Sequence, residues 1–100
     1  MATLIGRKKV KTAVFISGAG SNLKKIIKFS KLKHSPISVD LIISNNPKSK
    51  GLRYAKIFMI KKKIFDFKKS TLAEKKILKI LKKDQINLIC LAGFMKILSK

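Results

Sequence analysis

Val10-Lys11-Thr12-Ala13-Val14-Phe15-Ile16-Ser17-Gly18-Ala19-Gly20-Ser21-Asn22-Leu23 is the stretch that decides the fold. Val10 to Ser17 is rich in β-branched and aromatic residues and runs into a glycine turn, so it reads as a strand. From Ser21 to about Lys33 the period changes. Leu23, Ile26, Ile27 and Ser30 fall three and four apart with lysines between them, which is one apolar face of a helix. Ser21 is placed to cap that helix, and Pro36 limits its exit.

The alternation continues outward. Ile37 to Ser44 (ISVDLIIS) reads as a second strand and Asn45-Asn46-Pro47 as a turn. A short helix is expected from about Lys50 to Phe58. Met59-Ile60 is the place for a short third strand, and Lys61–Lys69 reads as a basic loop carrying Phe65 and Phe67. Thr71 to Lys83 is the strongest helix, with Ala73, Ile77, Ile80 and Leu81 on one face. Asn87 to Ala92 (NLICLA) is a continuous apolar run, the pattern of a strand covered on both faces. Gly93–Lys100 reads as a loop or the start of another unit. Strands and helices in this order form βαβ units, and the fold class is α/β: a Rossmann-like parallel sheet in three αβα layers. Ligands of such sheets sit at the carboxyl ends of the strands, which directs attention to the loops after strands 1, 2 and 4.

The chain has 100 residues, enough for one small domain. Apolar residues make up 46% of it, more than a wholly disordered chain would carry. The formal charge of +21 suggests a nucleic-acid partner. Its distribution argues otherwise. Residues 1–50 hold 11 basic and 1 acidic residue, and residues 51–100 hold 14 and 3, so no tail or block concentrates the charge. Nearly all of it is Lys, with Arg7 and Arg53 the exceptions, whereas bidentate phosphate contacts and base reading favour Arg. A basic nucleic-acid-binding module therefore stands as an alternative, and no specific nucleic-acid partner is expected. Residues 1–9 read as a loose leader, with the basic and apolar parts in the wrong order for a secretory signal. No window has the roughly 20 apolar residues a membrane span needs, so no membrane partner is expected. A single Cys, Cys90, excludes an intramolecular disulfide and fits a reducing, cytoplasmic compartment. One His and four acids leave no material for a metal cluster.

Ser17-Gly18-Ala19-Gly20-Ser21-Asn22 joins strand to helix. Its glycines allow positive φ and close approach of a ligand. The helix start offers unbonded N–H groups and the positive end of the dipole, which suit a phosphate. Ser21 adds a hydroxyl and Asn22 an amide. A tight βα turn that binds nothing would look the same. Leu23 stands where a dinucleotide fingerprint has its third Gly, and strand 2 ends without an acid. A Gly-Lys-Ser/Thr phosphate loop is absent. A small phosphorylated metabolite fits better than NAD or ATP.

Leu91-Ala92-Gly93-Phe94-Met95-Lys96-Ile97-Leu98-Ser99 follows the last strand. Together with Ile16-Ser17-Gly18-Ala19-Gly20-Ser21-Asn22-Leu23 it resembles the folate-dependent phosphoribosylglycinamide formyltransferases. Ile43-Ser44-Asn45 and Gly51-Leu52-x-x-Ala55 agree, and the resemblance runs from about Val10 to Lys100. It implies transfer of a formyl group from the co-substrate 10-formyltetrahydrofolate to glycinamide ribonucleotide in de novo purine synthesis, without a metal. It also implies that Gly20, Ser21 and Asn22 grip the ribonucleotide phosphate, and that Met95, Lys96, Ile97 and Leu98 line the folate site. Lys96 stands where the family has Arg, and Lys68, Lys69 and Ser70 lie where a further folate-contacting Arg is expected. The related formyltetrahydrofolate deformylases are the nearest alternative.

The family's catalytic Asn, His and Asp belong to a later part of its sequence. His34 lies in Lys33-His34-Ser35-Pro36, away from both loops, and reads as an ordinary surface residue. Asp66, Glu74 and Asp84 read as solvated, and Cys90 as core. The expectation is an amino-terminal part of a formyltransferase domain over 10–100, with no catalytic residue within it and no turnover on its own.

Overall fold

The computed structural model describes residues 9–18, 20–65 and 70–92. Its elements are β1 (Val10–Ile16), α1 (Ser21–Ser30), β2 (Ile37–Ser44), a 3-10 turn (Lys50–Leu52), α2 (Arg53–Ile57), β3 (Lys61–Ile64), α3 (Ser70–Lys83) and β4 (Leu88–Leu91). All strand pairings are parallel, in the order β3-β2-β1-β4. The chain steps from β1 to β2 to β3 in one direction and then returns to the other side of β1. That reversal places a topological switch between β1 and β4, where sheets of this kind open a crevice at the strand ends.

Alternation along β1 builds two cores. Val14 and Ile16 face one way and pack with Leu23 and Ile27 of α1 and Tyr54 and Ala55 of α2. Ala13 and Phe15 face the other way and pack with Ala73, Ile77 and Leu81 of α3. The expected three layers follow. Each large side chain fully buried here stabilises the fold by about 1.5–3 kcal/mol. In β2 the register slips by one residue: Thr12 lies opposite Val39 but Ala13 opposite Leu41, which leaves Asp40 as the extra residue. The bulge restores the phase, so Val39 shares a face with Ile42 while Leu41 and Ile43 face α3.

The third strand differs from the expectation at Met59-Ile60. Met59 has φ 57°, a left-handed conformation that no strand contains. It closes α2: the Met59 N–H donates to the Lys56 carbonyl at 3.3 Å and the Ile60 N–H to the Ala55 carbonyl at 2.7 Å. This is the paired-bond helix ending usually built around glycine. The chain extends only after it, so Lys61–Ile64, read as basic loop, is the strand. All four residues are exposed, as suits an edge strand blunted by lysines. Gln85, at φ 58°, ends α3 in the same way through Gln85 to Lys82 and Ile86 to Leu81 bonds.

Two further expectations need correction. Helix α1 stops at Ser30 rather than near Lys33, and the Lys9 ammonium donates to the Ser30 carbonyl at 2.6 Å and the Leu32 carbonyl at 3.0 Å beyond its end. Among the described residues, β4 is not covered on both faces. It pairs with β1 alone in the described sheet, and Leu91 is 61% exposed. Its apolar composition reflects two potentially buried faces, and the described residues cover neither completely. No helix among the described residues is long and apolar enough to cross a membrane.

Candidate functional site

The site is built where β1 ends. Ile16 is buried, and the chain then turns through Ser17, Gly18 and Gly20 into α1. The helix cap is Gly20, at φ 81° and ψ 23°, not Ser21, and no side chain bonds to the cap. Ser21 is instead the first helical residue. The Gly20 carbonyl begins the helix by accepting the Lys24 N–H at 2.9 Å. An uncapped start leaves the N–H groups of the first turn facing outward, with the partial positive charge of the helix behind them. Ser21 and Asn22 are exposed beside those groups, and no acid lies in the turn.

Only a glycine fits at position 20. Its φ is in the left-handed region, and a Cβ there would lie 2.6 Å from the Gly51 Cα and 3.4 Å from Tyr54 Cδ2. The reciprocal is also true: a Cβ on Gly51 would lie 2.9 Å from the Gly20 Cα and 2.8 Å from Ile16 Cδ1. The two backbones are packed against each other. In the sequence Gly51 belongs to the Gly51-Leu52-x-x-Ala55 piece of the family resemblance, and locally it is a lone glycine at the start of a helical stretch, a weak sign of tight packing.

Hydrogen bonds join the same two loops. The Gly18 carbonyl accepts from the Ser49 hydroxyl at 2.5 Å and from the Gly51 N–H at 3.0 Å. The Ser17 hydroxyl donates to Asn45 Oδ1 at 2.9 Å. The loop after β2 is itself fixed. The Ser44 hydroxyl accepts the Asn46 N–H at 3.0 Å, Asn46 Oδ1 accepts the Lys48 N–H at 2.9 Å, and the Asn46 carbonyl accepts the Ser49 N–H at 3.0 Å. Ser-Asn-Asn-Pro is a turn because Ser and Asn side chains bond to the backbone two residues on. Nothing in the sequence marked Ser49 as the residue that would reach across.

Tyr54 closes the inner wall. Its ring packs beside Gly20, with the Arg53 guanidinium carbon 5.1 Å from the ring centre. The guanidinium also donates to the Tyr54 hydroxyl at 3.2 Å. That hydrogen bond, opposed by burial and reinforced by the charges of Arg53, Lys24 and Lys28, holds the phenol below its ordinary pKa of 10.0.

The topology brings the end of β4 beside the end of β1: Phe15 is opposite Leu91, and the Ala92 N–H donates to the Phe15 carbonyl at 2.9 Å. Met95, Lys96, Ile97 and Leu98, expected at the folate site, lie outside the described residues, as do Asp66, Lys68 and Lys69. His34 is exposed at the far end of α1, as expected of a surface residue. Cys90 is a half-buried free thiol packed against the α1 face of the core. Asp84 is not simply solvated: its carboxylate takes the Lys61 ammonium at 2.9 Å. Glu74 is half-buried on α3.

A parallel sheet with a switch at β1 and β4, and a glycine-capped helix start opening there, defines an α/β domain of the doubly wound class. Comparison with known proteins gives the family. Residues 10–100 match the formyl transferase family model. The chain is 39% identical over 94 residues to the trifunctional purine biosynthetic protein adenosine-3 of Gallus gallus, covering 91% of this chain and 9% of that protein. It is 31% identical over 91 residues to the phosphoribosylglycinamide formyltransferase of Bacillus subtilis, covering 88% and 47%. The crystal structure of phosphoribosylglycinamide formyltransferase from Anaplasma phagocytophilum superposes with a TM-score of 0.83 at 35% identity, covering 92% and 43%. This chain belongs to the formyl transferase family, and its sheet and helices are those of that fold. It spans under half the length of the Bacillus and Anaplasma proteins.

Proposed function

We propose that this chain carries the ribonucleotide-phosphate half of a glycinamide ribonucleotide formyltransferase site, acting in purine synthesis with 10-formyltetrahydrofolate as co-substrate. The observation that carries this reading is the start of α1. A left-handed Gly20 presents uncapped N–H groups, flanked by the Ser21 hydroxyl and Asn22 amide, at the switch point of the sheet. A phosphate placed there gains charge-assisted hydrogen bonds and the helix dipole without displacing any acid. The net charge of +21 favours the approach of an anionic ribonucleotide or folate through long-range attraction. The names of the relatives support the choice of substrate.

The folate belongs on the β4 side. The family resemblance gives Met95, Lys96, Ile97 and Leu98, which come shortly after β4 in the sequence, to the folate site. A role carried by backbone or apolar groups is compatible with Lys at position 96, whereas a bidentate contact is not. Attack of the amine on the formyl carbon needs a base to take its proton and donors for the oxygen that becomes negative. Residues 10–100 supply neither in the family's pattern, so residues 1–100 bind the ribonucleotide and do not turn over alone. The free Cys90 thiol suits a reducing cytoplasm.

The test is a titration of glycinamide ribonucleotide followed by the amide resonances of the α1 start. Ser21→Ala and Asn22→Ala are each expected to weaken binding about three- to tenfold, the loss of one hydrogen bond to a ligand. Equal affinity in the parent and both variants refutes the reading.

A further inference from the structure

We propose that Ser49 and Gly51, in the loop after β2, are positioning residues that set the anion affinity of the loop after β1. The inference rests on the phosphate reading above and adds the device that prepares the loop. A carbonyl oxygen turned toward the mouth of an anion site would repel the anion. The Gly18 carbonyl is withdrawn from it, because the Ser49 hydroxyl at 2.5 Å and the Gly51 N–H at 3.0 Å occupy its two lone pairs. Both donors are buried. The same Gly51 backbone stands where any side chain on Gly20 would go, and so holds Gly20 in its left-handed turn. A loop fixed in its bound shape loses less conformational entropy when the anion arrives. The rigidity comes from outside the loop: the turn from Ser44 to Ser49 is closed by its own hydrogen bonds, and the 3-10 turn Lys50–Leu52 leads on from it into α2.

Among the described residues the Ser49 hydroxyl hydrogen-bonds to the Gly18 carbonyl and not to Ser21 or Asn22, so its effect passes through Gly18. That separates it from a binding residue and gives a test with a control. Ser30 is another buried serine, whose hydroxyl donates to the Ile27 carbonyl at 2.6 Å at the opposite end of α1. Parent, Ser49→Ala and Ser30→Ala are titrated with glycinamide ribonucleotide at a temperature where circular dichroism shows all three folded. Amide hydrogen exchange at Gly51 and Lys24, whose N–H groups donate to the Gly18 and Gly20 carbonyls, is measured without ligand. The expected result is a loss of affinity of about three- to tenfold in Ser49→Ala, faster exchange at those amides, and neither change in Ser30→Ala. Parent affinity in Ser49→Ala, or the same loss in Ser30→Ala, overturns the proposal. If the parent itself binds no ribonucleotide, the phosphate reading fails, and exchange decides the device alone: faster loop exchange in Ser49→Ala upholds the clamp, and unchanged exchange overturns it.

Discussion

Replacing Gly20 by alanine tests the geometry of the loop without any ligand. Position 20 has φ 81°, and a Cβ there would be 2.6 Å from the Gly51 Cα, a backbone atom that no rotamer change can move. The left-handed conformation costs an alanine roughly 1–2 kcal/mol. Relief of the overlap by backbone shift adds about 1–3 kcal/mol, as for other insertions into packed regions. Restriction of the unfolded chain returns about 0.4–1 kcal/mol. The net loss is about 1–4.6 kcal/mol, which for a domain of this size lowers Tm by at least about 4 °C. Gly18 supplies the contrast. A Cβ on Gly18 meets nothing within 4 Å, and its φ is not positive, so Gly18→Ala is expected to be neutral or to stabilise by up to about 1 kcal/mol. Urea unfolding followed by far-ultraviolet circular dichroism measures both. Gly20→Ala no less stable than Gly18→Ala would refute the argument that the two loops are packed backbone to backbone.

Two further outcomes follow from features away from the loop. Met59 is 91% exposed and ends α2 in the left-handed region, so Met59→Gly removes a strain of roughly 1–2 kcal/mol against an entropic cost of about 0.5–1 kcal/mol, and a small net gain is expected in urea unfolding. Tyr54 is the chain's one tyrosine, so absorbance of the phenolate reports it alone. Its native pKa is depressed, chiefly by the Arg53 hydrogen bond, so the phenolate forms at lower pH in the folded protein than in urea. The linked stability grows as pH rises from the depressed native value through 10.0 and is lost as pH falls back through the native value. Arg53→Ala is expected to bring the native titration close to that of the unfolded chain.

Much of this architecture was legible because two periods meet in one stretch. Val10–Ile16 alternates between two buried faces, and Leu23, Ile27 and Ser30 return every third or fourth residue, so a parallel sheet with a helix behind it follows from the pattern. Ala73, Ile77 and Leu81 did the same for α3. The third strand was not legible. Lys61–Ile64 has the composition of a solvated loop, and its pairing with Leu41–Ser44 is dictated by the sheet and by the left-handed ending at Met59. β4 was legible as a strand but not in its exposure, because composition reports what a face can bury and not what covers it. In the loop, glycines and a helix start were visible locally. The Ser49 and Gly51 bonds to Gly18 were not, because they join residues about 30 apart and no local pattern encodes them.

The charge of +21, the loudest feature of the composition, is background to the site. Lysines lie along α1, β3 and α3, on both sides of the sheet, and the groups that define the loop are two glycines, hydroxyls, amides and backbone N–H groups. The most direct measurement is therefore one that removes the phosphate from the ligand and, separately, one neutral group from the loop, so that the protein's charge is held equal. Isothermal titration at near-physiological salt compares glycinamide ribonucleotide with the same glycinamide riboside lacking its phosphate, each against the parent chain and Asn22→Ala. The account predicts that the parent binds the ribonucleotide, that removing the phosphate abolishes the heat, and that Asn22→Ala weakens it severalfold. Equal binding of both compounds, or a ribonucleotide affinity unchanged by Asn22→Ala, would contradict the claim that the start of α1 is a phosphate site.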